Sequence, residues 1–418
     1  MFLSSNNTFI NRYGFSKSGW VVGIVGLIFV AYLSAYSMKT LIVTSHKVRK
    51  LQVVEKDEEE NGDSVVSRED DADGSIRRIA KFTYGTYGVV FCDFVLVSAQ
   101  IGSAIAFAEF ITKSWSDVLH VDSAWIAMVI APVLIAVCVL KSMESLEYLG
   151  LFGNLTFLFS FIIVLVFGFG TTQGHFQSID VVSTDMGDVS TFFGLVIFAL
   201  AAQSECMSIE RFLPSELQNQ YGRILDIAIS MAAIIYIAIA SLCYAFFGDF
   251  TKDVIFDNIQ CGEGEDLKCQ AFSNSTVSVL RGIVKIGMAC MITVNYPFTM
   301  EGALHTVEEW VLGRSARVLC NSPFVEPAAI CLRTILVLFT LIIAVVVPDF
   351  SFLVGLCGTF SSGLLAFVLP PAFLLALDGK KLQDNREYGT LFKHISILIG
   401  GLVFSIVASI FILIDKVK

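Results

Sequence analysis

The residues best placed to do chemistry lie in one apolar stretch, Phe192–Pro214, which is long enough to cross a bilayer. The middle of this stretch is small and polar, and it reads Ala201, Ala202, Gln203, Ser204 and Glu205. A carboxylate at mid-membrane depth costs about 2.5–3.5 kcal/mol, so we expect Glu205 to face protein or a water-filled cavity. Because an interrupted spanning helix leaves backbone groups free to bind a polar ligand, the stretch is a candidate substrate site. The alternative is a polar patch packed against neighbouring helices.

Two other apolar stretches carry polar groups that we interpret as further substrate-binding candidates. Gln100 follows Asp93 by seven residues, so both side chains fall on one face of a predicted helix. Asn295 and Tyr296 precede Pro297, which removes a backbone donor and frees an upstream carbonyl at a predicted kink. Gln100, Asn295 and Tyr296 are therefore grouped with the candidate site of the first stretch.

Ionisable residues in or near the apolar stretches are candidates for proton coupling or gating, and they are Asp93, Glu205, Glu210 and Arg333. Burial favours the protonated form of a carboxyl group, which makes Glu205 the predicted proton carrier. Asp93 lies near one end of its stretch, where hydration is the alternative to a coupling role. Arg333 is expected to snorkel or to pair with Glu210 or Glu301. Snorkelling is also the expected state of Lys285 in a later stretch.

Composition places the chain among integral membrane proteins, since 55% of its 418 residues are hydrophobic, 16% are charged, and its mean hydropathy is +0.73. We predict an all-α polytopic fold with ten visible spans, at 19–43, 86–112, 122–140, 149–170, 190–212, 224–247, 277–303, 326–347, 350–377 and 391–414. The sequence has no P-loop, Rossmann glycine pattern, HExxH or GxSxG, so an enzyme is not expected. No cofactor, metal site or nucleic-acid partner is expected either; the predicted surroundings are the lipid bilayer.

Lysine and arginine concentrate in alternate connections, which orients the chain by the positive-inside rule. The basic connections, at 44–85, 141–148, 211–223, 304–325 and 378–390, are predicted to be cytoplasmic. The first of them is strongly acidic as well, with ten acids between Glu55 and Asp73, and is predicted to be solvated. The 248–276 connection then lies outside, where a disulfide between Cys261 and Cys269 and glycosylation of Asn274 are plausible. This orientation leaves residues 1–18 outside without a preceding span, as if a helix were missing.

Several motifs resemble the amino acid/auxin permease superfamily, and among its members most the vesicular inhibitory amino acid transporters. They are GDFTKDVIFDN at 248–258, the Asn295–Phe298 kink and the run from Leu332 to Pro371. The resemblance implies a LeuT-like fold of eleven helices, with two inverted five-helix repeats and one extra helix. It also implies a substrate between the interrupted first and sixth family spans, with the third and eighth helping. On that mapping 190–212 is span six, and only the tail of span one remains before residue 19, as if truncated.

The resemblance and the residues together predict secondary active transport of small amino acids, proton-coupled and working by alternating access around Ala201–Glu205. The transport unit spans 19–418, and the chain is expected in the plasma membrane or in an intracellular vesicle or lysosomal membrane. The alternative is a membrane sensor or scaffold that keeps the transporter fold without transport and signals through the acidic 44–85 loop.

Overall fold

The structure is a computed structural model that describes residues 14–59, 75–139, 143–172, 185–213, 215–218, 220–248, 259, 274–313, 325–384 and 386–417. These residues are almost entirely helical, and no strand occurs among them. The expected all-α membrane fold is therefore confirmed for the described part of the chain.

Twelve helices are numbered here in chain order: α1 Trp20–Glu59, α2 Ser75–Leu119, α3 Ser123–Val139, α4 Met143–Thr172, α5 Met186–Leu200, α6 Gln203–Phe212, α7 Tyr221–Phe247, α8 Asn274–Leu312, α9 Val325–Val346, α10 Phe350–Cys357, α11 Leu369–Asp384 and α12 Tyr388–Val417. Two π-helical turns, Gly358–Ser362 and Leu364–Val368, join α10 to α11. Residues 14–18 and Ser215–Gln218 form short helical turns.

These elements correspond to the ten predicted spans when α5 is counted with α6, and α10 with α11. Within the described ranges, seven helices are long and apolar enough to cross a membrane. Three shorter apolar helices there, Ser123–Val139, Leu158–Gly170 and Met186–Leu200, account for the remaining predicted spans. Aspartates cap two of the helices, because the side chains of Asp185 and Asp349 accept hydrogen bonds from the first turns of α5 and α10. The polar residues that precede these helices thus help to set where they begin.

The helices at the first connection are longer than hydropathy predicts. The α1 helix continues to Glu59, well beyond the predicted end at Val43, and α2 begins at Ser75, well before the predicted start at Thr86. Hydropathy reports which residues lie in lipid, whereas a helix continues wherever its backbone hydrogen bonds and side-chain contacts remain favourable. Parts of the predicted 44–85 loop are therefore helical, and residues 60–74 lie outside the described chain.

Two hydrophobic cores hold the helices together. The first core is built from α3, α4, α8 and α9 with the later half of α2. The second core is built from α1, α6, α11 and the earlier part of α2. Residues of α5 and α7 belong to both cores. The α5 helix therefore runs between the two cores, which places its C-terminal end in the interior of the protein.

Close packing of α5 depends on glycines that face one another across a helix crossing. A Cβ atom on Gly194 of α5 would meet the backbone of Gly355 in α10. One on Gly358, in the first π-helical turn, would meet the backbone of Gly194. Small residues at such a crossing let two backbones approach closely, which is how membrane helices associate without a strong hydrophobic driving force.

Charged side chains gather at the two ends of the molecule. We call the end where α1 finishes and α2 begins the basic end; Lys47 there pairs with Asp378 of α11. At the opposite end Lys285 of α8 is only 3% exposed and pairs with Asp117 of α2. The prediction that Lys285 snorkels is therefore wrong, because a carboxylate on the neighbouring helix neutralises its charge inside the protein.

Candidate functional site

The fifth predicted span is interrupted at Ala201 and Ala202. Ala201 has φ −77° and ψ 98°, and Ala202 has φ −133° and ψ 30°, so neither continues the helix. The predicted interruption is thus confirmed, but it is narrower than the expected Ala201–Glu205 stretch, because α6 begins at Gln203. Two residues with non-helical dihedral angles suffice, since the hydrogen bond from Cys206 N to Ala202 O, 2.9 Å long, already restarts the helical pattern.

The backbone groups on the two sides of this α5/α6 break differ in their hydrogen bonding. On the carbonyl side, the buried hydroxyl of Ser34 in α1 donates a 2.8 Å hydrogen bond to the carbonyl of Leu200. On the amide side, the first three N–H groups of α6 have no acceptor within the helix, and Ala202 provides no side-chain cap. A helix start of this kind carries a partial positive charge and favours a negatively charged or carbonyl-bearing ligand.

Gln203 places a polar side chain beside this helix start. The residue is fully buried, and neither its Oε1 nor its Nε2 atom has a hydrogen-bond partner among the described residues. Leaving a buried polar group unpaired costs about 1–3 kcal/mol, so such groups call for a specific explanation. A polar ligand that binds at the break would provide the missing partners.

Glu210, near the far end of α6, is fully buried and lies beside α1. His46 Nε2 contacts Glu210 Oε1, and Arg49 Nη2 lies 3.8 Å from Glu210 Oε2. The same half of the broken helix is tied to α7, because the Tyr221 hydroxyl donates a 2.8 Å hydrogen bond to the carbonyl of Cys206. The α6 helix is therefore fixed at the basic end by charge and near the break by a neutral hydrogen bond.

Asp93 is buried and paired, which contradicts the possibility that it is simply hydrated. Its side chain is 1% exposed, with Arg77 Nε at 2.8 Å from Oδ1 and Trp310 Nε1 donating to Oδ2 at 3.2 Å. Arg77 also contacts Glu309 of α8. Hydropathy places Asp93 near a span end but gives no sign of the arginine that reaches it from the start of the same helix.

Arg333 pairs with Glu308, so its predicted pairing with Glu210 or Glu301 is wrong. Its Nε and Nη2 atoms lie 2.6 and 3.3 Å from the two carboxylate oxygens of Glu308. Its Nη1 atom donates to the carbonyl of Cys138 at 2.8 Å, which adds the end of α3 to the contact. Glu301, Glu308 and Glu309 all lie on α8. The sequence does not show which of them Arg333 meets, because that depends on how the helices pack.

The predicted substrate residues on α2 and α8 have described neighbours on the helices around them. Gln100 packs against Gly302 of α8 and keeps a buried Oε1 atom without a partner among the described residues. Tyr296 is fully buried in the first core, and its hydroxyl lies 2.5 Å from Thr340 Oγ1 of α9. Asn295 is half-buried, and α8 runs through Pro297 as one helix. Leu200 and Cys206, which flank the break, lie in the second core, whereas Leu195 and Phe198 of α5 lie in the first.

Some predicted residues fall outside what the structure describes. The side chains of Ser204, Glu205 and Asn274 lie outside the described part, although their backbones begin α6 and α8. Cys261 and Cys269 lie wholly outside it. Among the described residues, no cluster of three or more histidine, cysteine, aspartate and glutamate side chains is arranged to hold a metal ion.

Sequence reasoning missed Ser34, His46 and Arg77, which contact the break, Glu210 and Asp93 respectively. A serine in an apolar helix gives no distinctive signal. His46 and Arg77 belong to a polar connection whose helical structure hydropathy does not reveal. Their charge near a span end is the one signal that pointed to them, and it does not identify a partner.

Comparison with known proteins gives a consistent answer. Residues 12–414 match the family described as transmembrane amino acid transporter protein. Amino acid transporter AVT3A of Arabidopsis thaliana is 25% identical over 384 residues, which cover 90% of this chain and 79% of that protein. Amino acid transporter ANT1 of the same organism is 22% identical over 407 residues, covering 94% and 85%. The vesicular inhibitory amino acid transporter of Xenopus tropicalis is 25% identical over 303 residues, covering 70% and 51%.

A solved structure of a Na⁺-coupled sialic acid symporter aligns with 98% of this chain and 88% of its own, at 10% identity and a TM-score of 0.45. That score is too low to establish a shared fold, so the assignment depends on the family match. The relatives are transporters, which points to a non-enzymatic role. The helices long enough to cross a bilayer and the match over nearly the whole length together make this multi-pass membrane protein a member of the transmembrane amino acid transporter family.

Proposed function

We propose that this protein carries small amino acids across its membrane, coupled to protons, by alternating access around the α5/α6 break. The observation that carries the proposal is Gln203, a buried amide without a partner among the described residues, beside the start of a helix in mid-span. An amino acid offers both a carboxylate for the helix start and donors and acceptors for the amide.

The arrangement of ion pairs supports alternating access. Lys39 pairs with Asp226 between α1 and α7, and Glu210 binds α1 from α6. In another part of the helix bundle, Arg333 joins α9 to α8. Each of these contacts stays within one of two helix groups, α1, α6 and α7 or α8 and α9. Such groups can move as units, with the break exposed first to one side of the membrane and then to the other.

Proton coupling is assigned to Glu205, in the first turn of α6. A carboxyl group inside a membrane protein favours its protonated form, which a pH gradient can load on one side and unload on the other. Because the basic connections define the cytoplasmic side by the positive-inside rule, the basic end is proposed to face the cytosol.

The test is uptake of a panel of radiolabelled amino acids by proteoliposomes, with and without a pH gradient. We expect gradient-driven uptake of one or more small amino acids by the unaltered protein, and loss of the gradient effect in Glu205→Gln. Glu301→Gln is the matched control, because that carboxylate is 42% exposed. Unchanged gradient-driven uptake by Glu205→Gln would remove the proton assignment, and no uptake of any amino acid would remove the transport proposal.

Removal of residues 55–73 separates transport from a sensor or scaffold role. A transporter should tolerate the loss, because the break and its contacts lie elsewhere in the chain. A protein that signals through this acidic segment should lose its function. Absence of uptake by the unaltered protein, together with loss of its signalling on deletion, would favour the scaffold alternative.

A further inference from the structure

The beginning of α2 folds back on the rest of the helix. Asp93 follows Arg77 by 16 residues, and in a straight helix their Cα atoms would be about 24 Å apart, too far for the side chains to meet. Their charged atoms are nevertheless 2.8 Å apart. The bend lies at Gly85, whose φ of 62° and ψ of −146° are open to glycine but not to other residues. We call residues 75–84 the strap.

The strap is fastened on two sides. On one side Arg77 pairs with Asp93 and Glu309, where Glu309 belongs to α8. On the other side the Tyr84 hydroxyl donates a 2.9 Å hydrogen bond to the carbonyl of Ala372 in α11. Three of its apolar residues, Ile76, Ile79 and Ala80, are buried in the second core. The strap therefore connects α8, which belongs to the first core, with the second core at the basic end.

Arg77 is the charged centre of this connection. The carboxylates of Asp93 and Glu309 are only 1% and 8% exposed, and Arg77 itself is 14% exposed. Loss of Arg77 would take an ion-pair partner from two buried carboxylates at once, and removing one partner of a buried ion pair is costly. Trp310 adds a neutral hydrogen bond to Asp93 but no charge.

We propose that the strap closes the path between the α5/α6 break and the basic end, and that Arg77 is the residue that holds it shut. The inference rests on the transport function proposed above, because it names the gate of that same site. The α6 helix runs from the break to the basic end and packs against α1 and α2. Its Cys206 shares the second core with Ile79 and Ala80 of the strap, so a path along α6 passes the strap. Opening requires the strap to leave α8, and Arg77 must then leave two carboxylates.

The experiment measures access to the break without any substrate. Cys206, in the first turns of α6, is fully buried and serves as the reporter. Purified protein in detergent is treated with N-ethylmaleimide, and the rate of modification at each cysteine is read by peptide mass spectrometry. For Arg77→Gln we expect modification of Cys206 to accelerate on the order of tenfold, since the closed state loses a buried ion-pair partner.

Lys81→Gln is the matched control, because it removes one positive charge from the exposed face of the same strap. We expect its rate at Cys206 to equal that of the unaltered protein. Cys243, buried in α7, is the internal reference for general loosening. An unchanged rate at Cys206 in folded Arg77→Gln, or an equal rise at Cys243, would overturn the proposal.

Glu309→Gln provides a second route if Arg77→Gln does not fold. It removes the α8 side of the contact and leaves the Arg77–Asp93 pair, so we expect a smaller acceleration at Cys206. No acceleration in folded Glu309→Gln would overturn the role of the α8 contact. Labelling needs neither substrate nor gradient, so the two proposals can fail independently. If the unaltered protein takes up no amino acid but Arg77→Gln accelerates modification of Cys206, the transport proposal is overturned and the strap proposal is supported.

Discussion

Gln203 is held in the interior with both of its polar atoms free of partners among the described residues, next to the start of α6. A buried amide in this state lowers stability, because its hydrogen bonds to water are lost on folding and not replaced. An apolar side chain of similar length would be more stable at the same place. A buried amide without a partner among the described residues is what the proposed substrate site requires.

Gln203→Met tests this explanation. We expect the free energy of unfolding to rise by up to about 1–3 kcal/mol, because the unpaired amide is removed, and we expect amino acid uptake to be lost. Thermal denaturation of the purified protein and proteoliposome uptake provide the two measurements. Gln52→Met, at a half-exposed position of α1, should change neither. Normal uptake by Gln203→Met would show that the amide does not bind the substrate.

The Arg333–Glu308 pair makes a different kind of contribution. Both side chains are largely buried, at 14% and 16% exposure. We expect Arg333→Met or Glu308→Met alone to lower the free energy of unfolding by about 3 kcal/mol, because each leaves an uncompensated charge. The double variant should recover most of that loss. Chemical or thermal denaturation of the three variants measures the coupling, and a double variant no more stable than either single one would contradict it.

At the scale of elements, α5 is positioned by close contact of backbones. Glycines at 194, 355 and 358 bring α5 against α10 and the first π-helical turn. Wide or π-helical turns inside α-helices frequently occur at functional sites, because they free backbone groups and shift the helix register. Here the Ser37 hydroxyl of α1 donates to the carbonyl of Ala366 in the second π-helical turn. The break at the end of α5 thus depends on helices that approach it closely from two sides.

Gly194→Ala should disturb this crossing. The added Cβ would meet the backbone of Gly355, which cannot yield as a flexible side chain can. We expect a loss of about 1–3 kcal/mol in the free energy of unfolding, as is typical of overpacking. Gly400→Ala is the control: its Cβ would have no neighbour within 4 Å, and alanine favours a helix. Equal melting temperatures for the two variants would show that the crossing tolerates a methyl group.

At the scale of the whole molecule, basic residues from distant parts of the chain meet at one end. Lys47, Arg49, Arg77 and Arg333 all bind acidic partners near the ends of α6, α8 and α11 or within α2. The basic end is thus both the side that the positive-inside rule assigns to the cytosol and the side that the strap crosses. The orientation predicted by this rule and the gate proposed for the strap therefore concern the same end of the protein.

Sidedness is testable with cysteines at exposed positions of the two ends, Lys81→Cys and Asp122→Cys. A membrane-impermeant thiol reagent, applied to sealed vesicles of known orientation, should modify Lys81→Cys from the cytoplasmic side only. Asp122→Cys should be modified from the other side only. The unaltered protein provides the background from its native cysteines. The reverse pattern would overturn the assigned orientation.

The sequence by itself determined which stretches form apolar helices and that the fifth predicted span is interrupted. Hydrocarbon thickness imposes stretches of about 20 apolar residues, and a polar group within such a stretch is conspicuous. It did not determine that α1 and α2 extend beyond the bilayer, because a helix in water leaves no hydropathy signal.

Only the tertiary structure decided which charges meet. Arg77 with Asp93, Lys285 with Asp117 and Arg333 with Glu308 join residues far apart in the chain. Several equally acidic positions compete for each base in the sequence. The choice among them depends on the bend at Gly85 and on how α8 packs against α2 and α9, which are properties of the packed helices and not of any one segment.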